Sequence, residues 1–158
     1  DDTIQHAGVV IGLGGIAGHV MCKAPAQEIG YMGRLISVQE ISAVTAACMM
    51  VKTSVFRRTG GFDEKLKVAF NDIDLCMQVR SMGEKIVFTP YAELYHYESK
   101  SRGMEDTPEK IARFNREVNC FKDKWKKELL AGDPYYSPNL TLKAGDCSLQ
   151  KMEERNEE

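Results

Sequence analysis

The spacing of apolar residues changes along this chain, and the changes predict interleaved helices and strands. The clearest pattern follows Thr107-Pro108-Glu109, which combines a capping residue, a proline at the first helical position and an acid in the first turn. The apolar residues after it recur at steps of three and four: Ile111, Phe114, Val118, Phe121, Trp125 and Leu129. Because this spacing places them on one face, we predict a long amphipathic helix that ends at Gly132.

Two shorter helices are predicted before it. The first spans Thr53–Thr59, and Gly60 then supplies the left-handed residue that commonly ends a helix. The second begins at Asn71 and runs to about residue 82. Asn71 is a favourable N-cap, and Asp74 three residues later fits a capping box. Apolar residues recur on one side of this second helix, so we expect that side to face the core.

Strands are predicted at Val9–Ile11, residues 41–51 and residues 85–89, and the alternation over residues 92–98 predicts a fourth. The second run also fits a buried helix, but its β-branched residues favour a strand. Residues 21–39 show no period and predict a long loop with one helical turn. Helices and strands therefore interleave, which is typical of the mixed α/β class.

Composition narrows the class of protein. The 158 residues are 43% hydrophobic and 28% charged with a formal net charge of -2, which is typical of a globular domain and does not favour nucleic-acid binding. The five cysteines lack Cys-x-x-Cys spacing, so a reducing, cytoplasmic setting fits best. The longest uncharged run, residues 7–22, is too short for a transmembrane segment. Residues 143–158 are expected to form a disordered tail.

Residues 60–102 concentrate polar groups between apolar elements, as a functional site does. Asp72 at a helix start can serve as a general base, although the helix dipole alone explains an acid there. Asp72 and Asp74 diverge around the helix, so we exclude this pair as a metal site. His96 has no second ligand at close spacing, and the loop over residues 99–102 suits either a diphosphate or plain solvent. From the residues alone, the structural explanation is favoured for each.

A competing hypothesis concerns the glycine-rich run after the first strand. The pattern Gly12-x-Gly14-x-x-Ala17 formally matches the dinucleotide-binding fingerprint. A helix should follow it, but Pro25 arrives within two turns. The acidic residue expected about 20 positions later is also missing. We therefore favour a loop of conformational purpose and keep a dinucleotide-dependent oxidoreductase as a rival hypothesis.

Several segments in order resemble the C-terminal half of family 2 glycosyltransferases, the inverting GT-A type. They read VTAACMMVKTSVFRRTGGFDE, FNDIDLCMQVRSMG and KIVFTPYAELYHYESKSRG. The earlier IQHAGVVIGLGGIAGH resembles bacterial members that build O-antigen, rhamnan or related surface polysaccharides. The resemblance covers residues 9–142 and implies the acceptor-side part of a GT-A fold, a mixed sheet flanked by helices, as one domain over residues 1–142.

The resemblance also implies roles for single residues. Asp72 is the implied catalytic base, which deprotonates a saccharide acceptor so that it attacks a nucleotide-diphospho-sugar donor with inversion. Gly60, Gly61 and Asn71 line the acceptor side, although many members have Glu in place of Asn71. His96 joins a divalent metal, Mg or Mn, on the donor diphosphate. The loop that closes over this diphosphate consists of Ser99, Lys100, Ser101 and Arg102.

The family's nucleotide-binding half and its Asp-x-Asp lie upstream of the matching segments, so the resemblance implies a fragment. We expect no transferase activity from the chain alone. An uncovered apolar sheet edge or face should favour a homo-oligomer. The implied location is the cytoplasm, with the inner face of the membrane as a second possibility. A non-catalytic interaction domain that kept the fold remains the other rival hypothesis.

Overall fold

The computed structural model describes residues 2–97 and 107–151, and these form a mixed α/β fold as the sequence predicts. Its strands are β1 (Val9–Ile11), β2 (Ala17–His19), β3 (Gln39–Ile41) and β4 (Ile86–Phe88). Its α-helices are α1 (Thr53–Thr59), α2 (Asn71–Ser81), α3 (Pro108–Lys124) and α4 (Lys126–Ala131). Single turns of 3-10 helix occur at Leu13–Gly15, Tyr31–Gly33 and Ala46–Cys48. No described helix is long and apolar enough to cross a bilayer.

The strands form two antiparallel ladders joined by a bridge. Strand β1 pairs with β2, and β3 pairs with β4. The bridge joins Val9 to Ala43, where the Val9 N–H donates to the Ala43 carbonyl at 2.9 Å. Because Ala43 follows β3 by two residues, the bridge lies next to β3 and brings the two ladders together without making them one sheet. Every described ladder pairing is antiparallel, whereas the resemblance implies a mixed sheet.

The glycine-rich run forms the turn of the β1–β2 hairpin. Gly12, Gly14 and Gly15 have φ angles of 93°, 65° and 82°, values that suit glycine because they would strain a residue with a Cβ. Their N–H groups donate to the carbonyls of Ile16, Leu142 and Gly12, in that order. A strand follows instead of a helix, and these three amides are already used. The structure thus opposes the dinucleotide-binding interpretation.

Two predicted strands differ from the structure. Only Ile41 of the run 41–51 belongs to a strand, and Thr45 then caps a 3-10 turn by accepting the Ala47 N–H at 3.4 Å. Residues 92–97 have no regular secondary structure. Alternation alone does not produce a strand there, because a ladder needs a partner and no described strand pairs with this segment.

The helices lie close to their predicted positions, with two differences at their ends. Helix α1 ends as predicted, since Gly60 has a φ of 80°. The N-cap of α2 is Phe70 with a φ of 63°, so Asn71 is the first helical residue. The long predicted helix breaks at Trp125, where α3 ends and α4 begins. The break lets Trp125 turn into the core, and Gly132 ends α4.

The alternation of β1 directs its side chains to two cores. Val9 and Ile11 join a main core formed with α2 and α3, whose buried members include Leu66, Ile73, Cys76, Met77, Phe121 and Trp125. Val10 joins a second core. Its other buried members are Leu13, Val20, Tyr136, Leu140 and Cys147. Strand β1 is therefore covered by helices on one side and by the C-terminal segment on the other.

The C-terminal segment is ordered further than the sequence analysis expects. A bridge joins Leu140 to Leu149, and the Thr141 N–H donates to the Ser148 carbonyl at 2.9 Å. Cys147 is buried in the second core. The disordered tail expected from residue 143 is thus not observed through residue 151. This segment packs against Val10 of β1, which lies over 120 residues earlier in the chain. The composition of the segment alone therefore does not predict that it is ordered.

Candidate active site

Asp72 lies at the start of α2, and both of its carboxylate oxygens are held by backbone amides. One oxygen accepts the Ile73 N–H at 2.9 Å, within the first turn of the helix. The other accepts the Ala46 N–H at 3.0 Å, from the 3-10 turn 26 residues earlier. The side chain is partly buried. Since a carboxylate offers about four acceptor positions, each oxygen can still accept a hydrogen bond from a hydroxyl group.

Asn71 supports this arrangement from inside the helix start. Its side-chain oxygen accepts the Asp72 N–H at 2.8 Å. That bond satisfies one of the N–H groups that every helix start leaves free. Asn71 therefore orients the backbone that carries Asp72, although it is not the N-cap that the sequence predicts.

Two histidines that the sequence analysis does not single out lie beside this site. The rings of His6 and His19 meet edge to face with centroids 5.0 Å apart and Nδ1 atoms 3.1 Å apart. The Thr45 N–H lies 3.4 Å from His6 Nε2. When Nε2 accepts this proton, Nδ1 carries the ring proton of neutral His6 and donates to His19. His6 thus accepts a hydrogen bond from Thr45. Thr45 directly precedes Ala46, whose N–H donates to Asp72.

Burial, followed by the neighbouring His19, lowers the pKa of His6 from 6.5 to about 4, while Asp72 opposes this shift. Acid therefore favours the unfolded chain, whose His6 binds its proton more tightly. The contribution of His6 to stability is complete above pH 6.5 and is lost as the pH falls to about 4. We expect a loss of about 3 kcal/mol across this window, from 1.36 kcal/mol per pKa unit. Urea unfolding between pH 7 and pH 4 measures it.

The matched variants for this prediction are His6→Gln and His96→Gln. The first should flatten the pH profile of the free energy of unfolding relative to the original chain. The second removes an exposed histidine and is the control for the loss of a histidine side chain outside the core. Parallel profiles for the original chain and His6→Gln would contradict a neutral, buried His6.

His96 lies on the exposed segment of residues 91–97, apart from the hydrogen bonds of Asp72. Its Nδ1 is 3.2 Å from the side-chain oxygen of Gln5. The neighbouring Tyr95 hydroxyl donates to Asp2 at 3.3 Å. His6, Thr45 and His96 all line one open groove with a volume of about 1740 Å³. Asp72 does not line this groove itself; its hydrogen bond to the Ala46 N–H joins it to the turn that begins after Thr45, which does.

The other predicted site residues are explained by local structure or lie outside the described chain. Gly60 and Gly61 have φ angles of 80° and 84° and follow α1. The Gly60 N–H donates to the Arg57 carbonyl, and the Gly61 N–H donates to the Thr59 hydroxyl, each at 3.2 Å. These contacts belong to the helix end and do not join the glycines to Asp72 or His96. The loop Ser99, Lys100, Ser101 and Arg102 lies outside the described residues.

The divalent metal that the resemblance implies has no complete ligand set in residues 2–97 and 107–151. Within these ranges no three His, Cys, Asp or Glu side chains come together. Near His96 the polar contact is the amide oxygen of Gln5, which is neutral and at hydrogen-bond distance. Mg²⁺ usually needs one or two carboxylates with further oxygen ligands. The described residues therefore do not form a site for this metal by themselves.

Asp74 is buried and joins α2 to the break between α3 and α4. One oxygen accepts the Trp125 Nε1–H at 2.7 Å and lies 2.8 Å from the Lys124 ammonium. The other accepts Gln78 Nε2 at 2.7 Å. Asp74 therefore anchors Trp125 instead of forming the capping box that the sequence predicts. The residues around Asp74 do not predict its contact with Trp125, because Trp125 lies 51 residues further along the chain.

Comparison with known proteins finds similarity to much longer chains. An uncharacterized protein of Sinorhizobium fredii, y4gI, is 56% identical over 150 residues, which are 94% of this chain and 16% of that protein. The O-antigen biosynthesis protein RfbC of Myxococcus xanthus is 36% identical over 159 residues, 100% of this chain and 12% of that protein. The N-acetylglucosaminyl-diphospho-decaprenol L-rhamnosyltransferase of Mycobacterium tuberculosis is 30% identical over 69 residues, 44% of this chain and 22% of that enzyme.

The chain thus spans less than a quarter of the length of each of these relatives. No family model matches it. No solved structure matches it either. Two of the three relatives are named for O-antigen biosynthesis and for rhamnosyl transfer.

Proposed function

We propose that this chain is the acceptor-side part of a bacterial glycosyltransferase that builds a surface polysaccharide. The observation that carries the proposal is the carboxylate of Asp72, which two backbone amides from separate elements hold in one orientation. The similarity to an O-antigen biosynthesis protein across the whole chain supports it. The rhamnosyltransferase that matches 44% of the chain supports it further.

In the proposed reaction Asp72 is the general base. One of its carboxylate oxygens takes the proton from the hydroxyl group of the saccharide acceptor. For this transfer the two oxygen atoms must lie about 2.6–3.2 Å apart. The hydroxyl oxygen forms a bond to the anomeric carbon of the donor while the bond from that carbon to the diphosphate breaks. The nucleoside diphosphate leaves with the electron pair, and the configuration at carbon inverts. The Ala46 and Ile73 amides already fix the orientation of the carboxylate, so reaching the transition state costs little further rotational entropy.

The remaining roles follow the resemblance. We propose that Asn71, Gly60 and Gly61 border the acceptor and that residues 99–102 close over the donor diphosphate. A divalent metal, Mg or Mn, would stabilise the leaving diphosphate as a Lewis acid. Because the described residues supply no complete ligand set, the proposal places most of its ligands outside them. Among the described residues, His96 is the ligand that we propose for this metal.

The rhamnosyltransferase relative narrows the proposed substrates. Its name specifies L-rhamnose as the sugar and a lipid-linked diphospho-N-acetylglucosamine as the acceptor. We propose a nucleotide-diphospho-sugar as the donor of this chain and a lipid-linked saccharide as its acceptor. For such an acceptor we propose a reaction in the cytoplasm, at the inner face of the membrane. Self-association through an uncovered apolar edge or face stays a prediction; on β4 the exposed apolar residue is Val87, at 50%.

The test uses the full-length protein that the proposal implies, with nucleotide-diphospho-sugars, L-rhamnosyl donors among them, and a lipid-linked N-acetylglucosamine acceptor. We expect sugar transfer with inversion, read from the anomeric configuration of the product by NMR, and no transfer by residues 1–158 alone. Titration of NAD(H) is the matched control for the oxidoreductase hypothesis. Saturable micromolar NAD(H) binding without sugar transfer would overturn the proposal.

A further inference from the structure

The residue that precedes the start of α2 has an unusual backbone conformation. Phe70 has φ 63° and ψ 3°, in the left-handed region that bulky residues with a Cβ rarely adopt. Its carbonyl nevertheless accepts the Asp74 N–H at 2.8 Å, which is the first hydrogen bond of the helix. A conformation of this kind persists only where the surrounding structure holds it, and it occurs often at functional sites.

Helix α3 supplies the contacts that hold Phe70. The buried carboxylate of Glu117 accepts the N–H of Ala69 at 2.7 Å, although the two residues are 48 positions apart. The Phe70 ring packs against Phe114 and Phe121, with centroids 5.8 Å and 5.3 Å away. Glu117 is 3% exposed, so its carboxylate is removed from water and its bond to a backbone amide is strong.

This conformation sets the direction of Asp72. Phe70 lies two residues before Asp72, and the left-handed turn there fixes how the chain enters α2. Only a specific entry direction lets the carboxylate of Asp72 reach the Ala46 N–H across the gap to the 3-10 turn. If Phe70 relaxed to a negative φ, the first helical residues would rotate and this bond would break. Glycine would adopt the same φ without strain, so the packing of the Phe70 ring against the main core has to offset the cost of its left-handed conformation.

We propose that Glu117, together with the Phe114 ring, positions Asp72 by holding Phe70 in the left-handed conformation. Neither side chain touches a reacting atom, so both are positioning residues. The catalytic consequence rests on the proposed function, whereas the geometric consequence does not. Helix α3 thereby has a second role besides covering the core, and its Glu117 belongs to the site although it lies on a different element.

The geometric test is made by NMR on this chain, with the amide proton of Ala46 as the probe. Its chemical shift reports the hydrogen bond to Asp72, and an Asp72→Ala variant gives the shift of the broken bond. We expect Glu117→Ala to move the Ala46 signal toward the Asp72→Ala position. Glu117→Gln keeps an acceptor oxygen for Ala69 and should restore the original shift. Leu140→Ala, in the second core, should lower thermal stability and leave the Ala46 signal in place.

The catalytic test measures turnover in the full-length protein. A misplacement of about 1 Å costs on the order of 10²-fold in rate, so Glu117→Ala should lower kcat about 10²-fold with the donor KM unchanged. Glu117→Gln should recover most of this loss, and Leu140→Ala should have no such effect.

Each outcome decides the proposal. A folded Glu117→Ala chain whose Ala46 signal stays at its original position would overturn it. If Glu117→Ala does not fold, Phe114→Ala decides in the same way, because that ring is already 40% exposed and its loss is milder. If the Ala46 signal moves as expected but Asp72→Asn keeps full turnover, the positioning holds and the proposed function fails.

Discussion

Replacing Asp72 by asparagine is expected to lower sugar transfer by about 10²–10⁴-fold, the range that a general base contributes. Asparagine has nearly the same shape, but its amide does not accept a proton from a hydroxyl group at neutral pH. It can also accept only one of the two backbone bonds from Ala46 and Ile73, because its NH₂ group is a donor. The measurement is kcat in the full-length protein with saturating donor and acceptor.

The matched control for this change is Asp146→Asn. Asp146 also accepts a backbone N–H, from Ser148 at 3.0 Å, but it lies in the C-terminal segment and outside the proposed site. Its replacement should leave kcat within twofold of the original, about the effect of a 0.4 kcal/mol change. Circular dichroism verifies that both variants fold. Unchanged turnover in Asp72→Asn would remove Asp72 as the base and favour a non-catalytic interaction domain.

The helices could be predicted from the sequence because their signals are local. Gly60 ends α1 and Thr107 caps α3, and both effects operate within a few residues of the helix end. The strands were harder to predict. The runs at Val9–Ile11 and residues 85–89 predict β1 and β4 correctly, but residues 92–97 alternate without forming a strand. A strand depends on a partner elsewhere in the chain, and a local pattern does not show whether a partner exists.

The candidate site likewise has one part that local sequence predicts and one part that depends on tertiary contacts. The helix start identifies Asp72 as a candidate, since an acid in the first turn is visible in the sequence. Its orientation depends on Ala46, 26 residues earlier, and on Glu117 through Phe70, all of which are tertiary contacts. The left-handed conformation of Phe70 even opposes the local preference of phenylalanine. Here packing outweighs propensity, so the sequence supplies the catalytic candidate but not its positioning.

Asp74, two residues after the proposed base, is expected to affect stability instead of catalysis. Removing one partner of a buried ion pair usually costs about 3–5 kcal/mol, because the remaining charge or donor is left without compensation. Asp74→Ala leaves the buried Trp125 Nε1–H without its acceptor and reduces the carboxylate contacts of Lys124 to Asp63. We therefore expect a decrease of about 3–5 kcal/mol in the free energy of unfolding, measured by urea denaturation at pH 7.

The control for Asp74→Ala is Asp63→Ala, which removes the other carboxylate that Lys124 contacts. Asp63 lies 3.0 Å from the Lys124 ammonium but is 25% exposed, whereas Asp74 is fully buried. Water screens the first pair, so its loss should cost about 0–1 kcal/mol. Equal costs for the two variants would show that burial adds nothing to the Asp74 network. A much larger cost for Asp74→Ala would show that burial makes the contacts of Asp74 with Trp125 and Lys124 a main contribution to the stability of the fold.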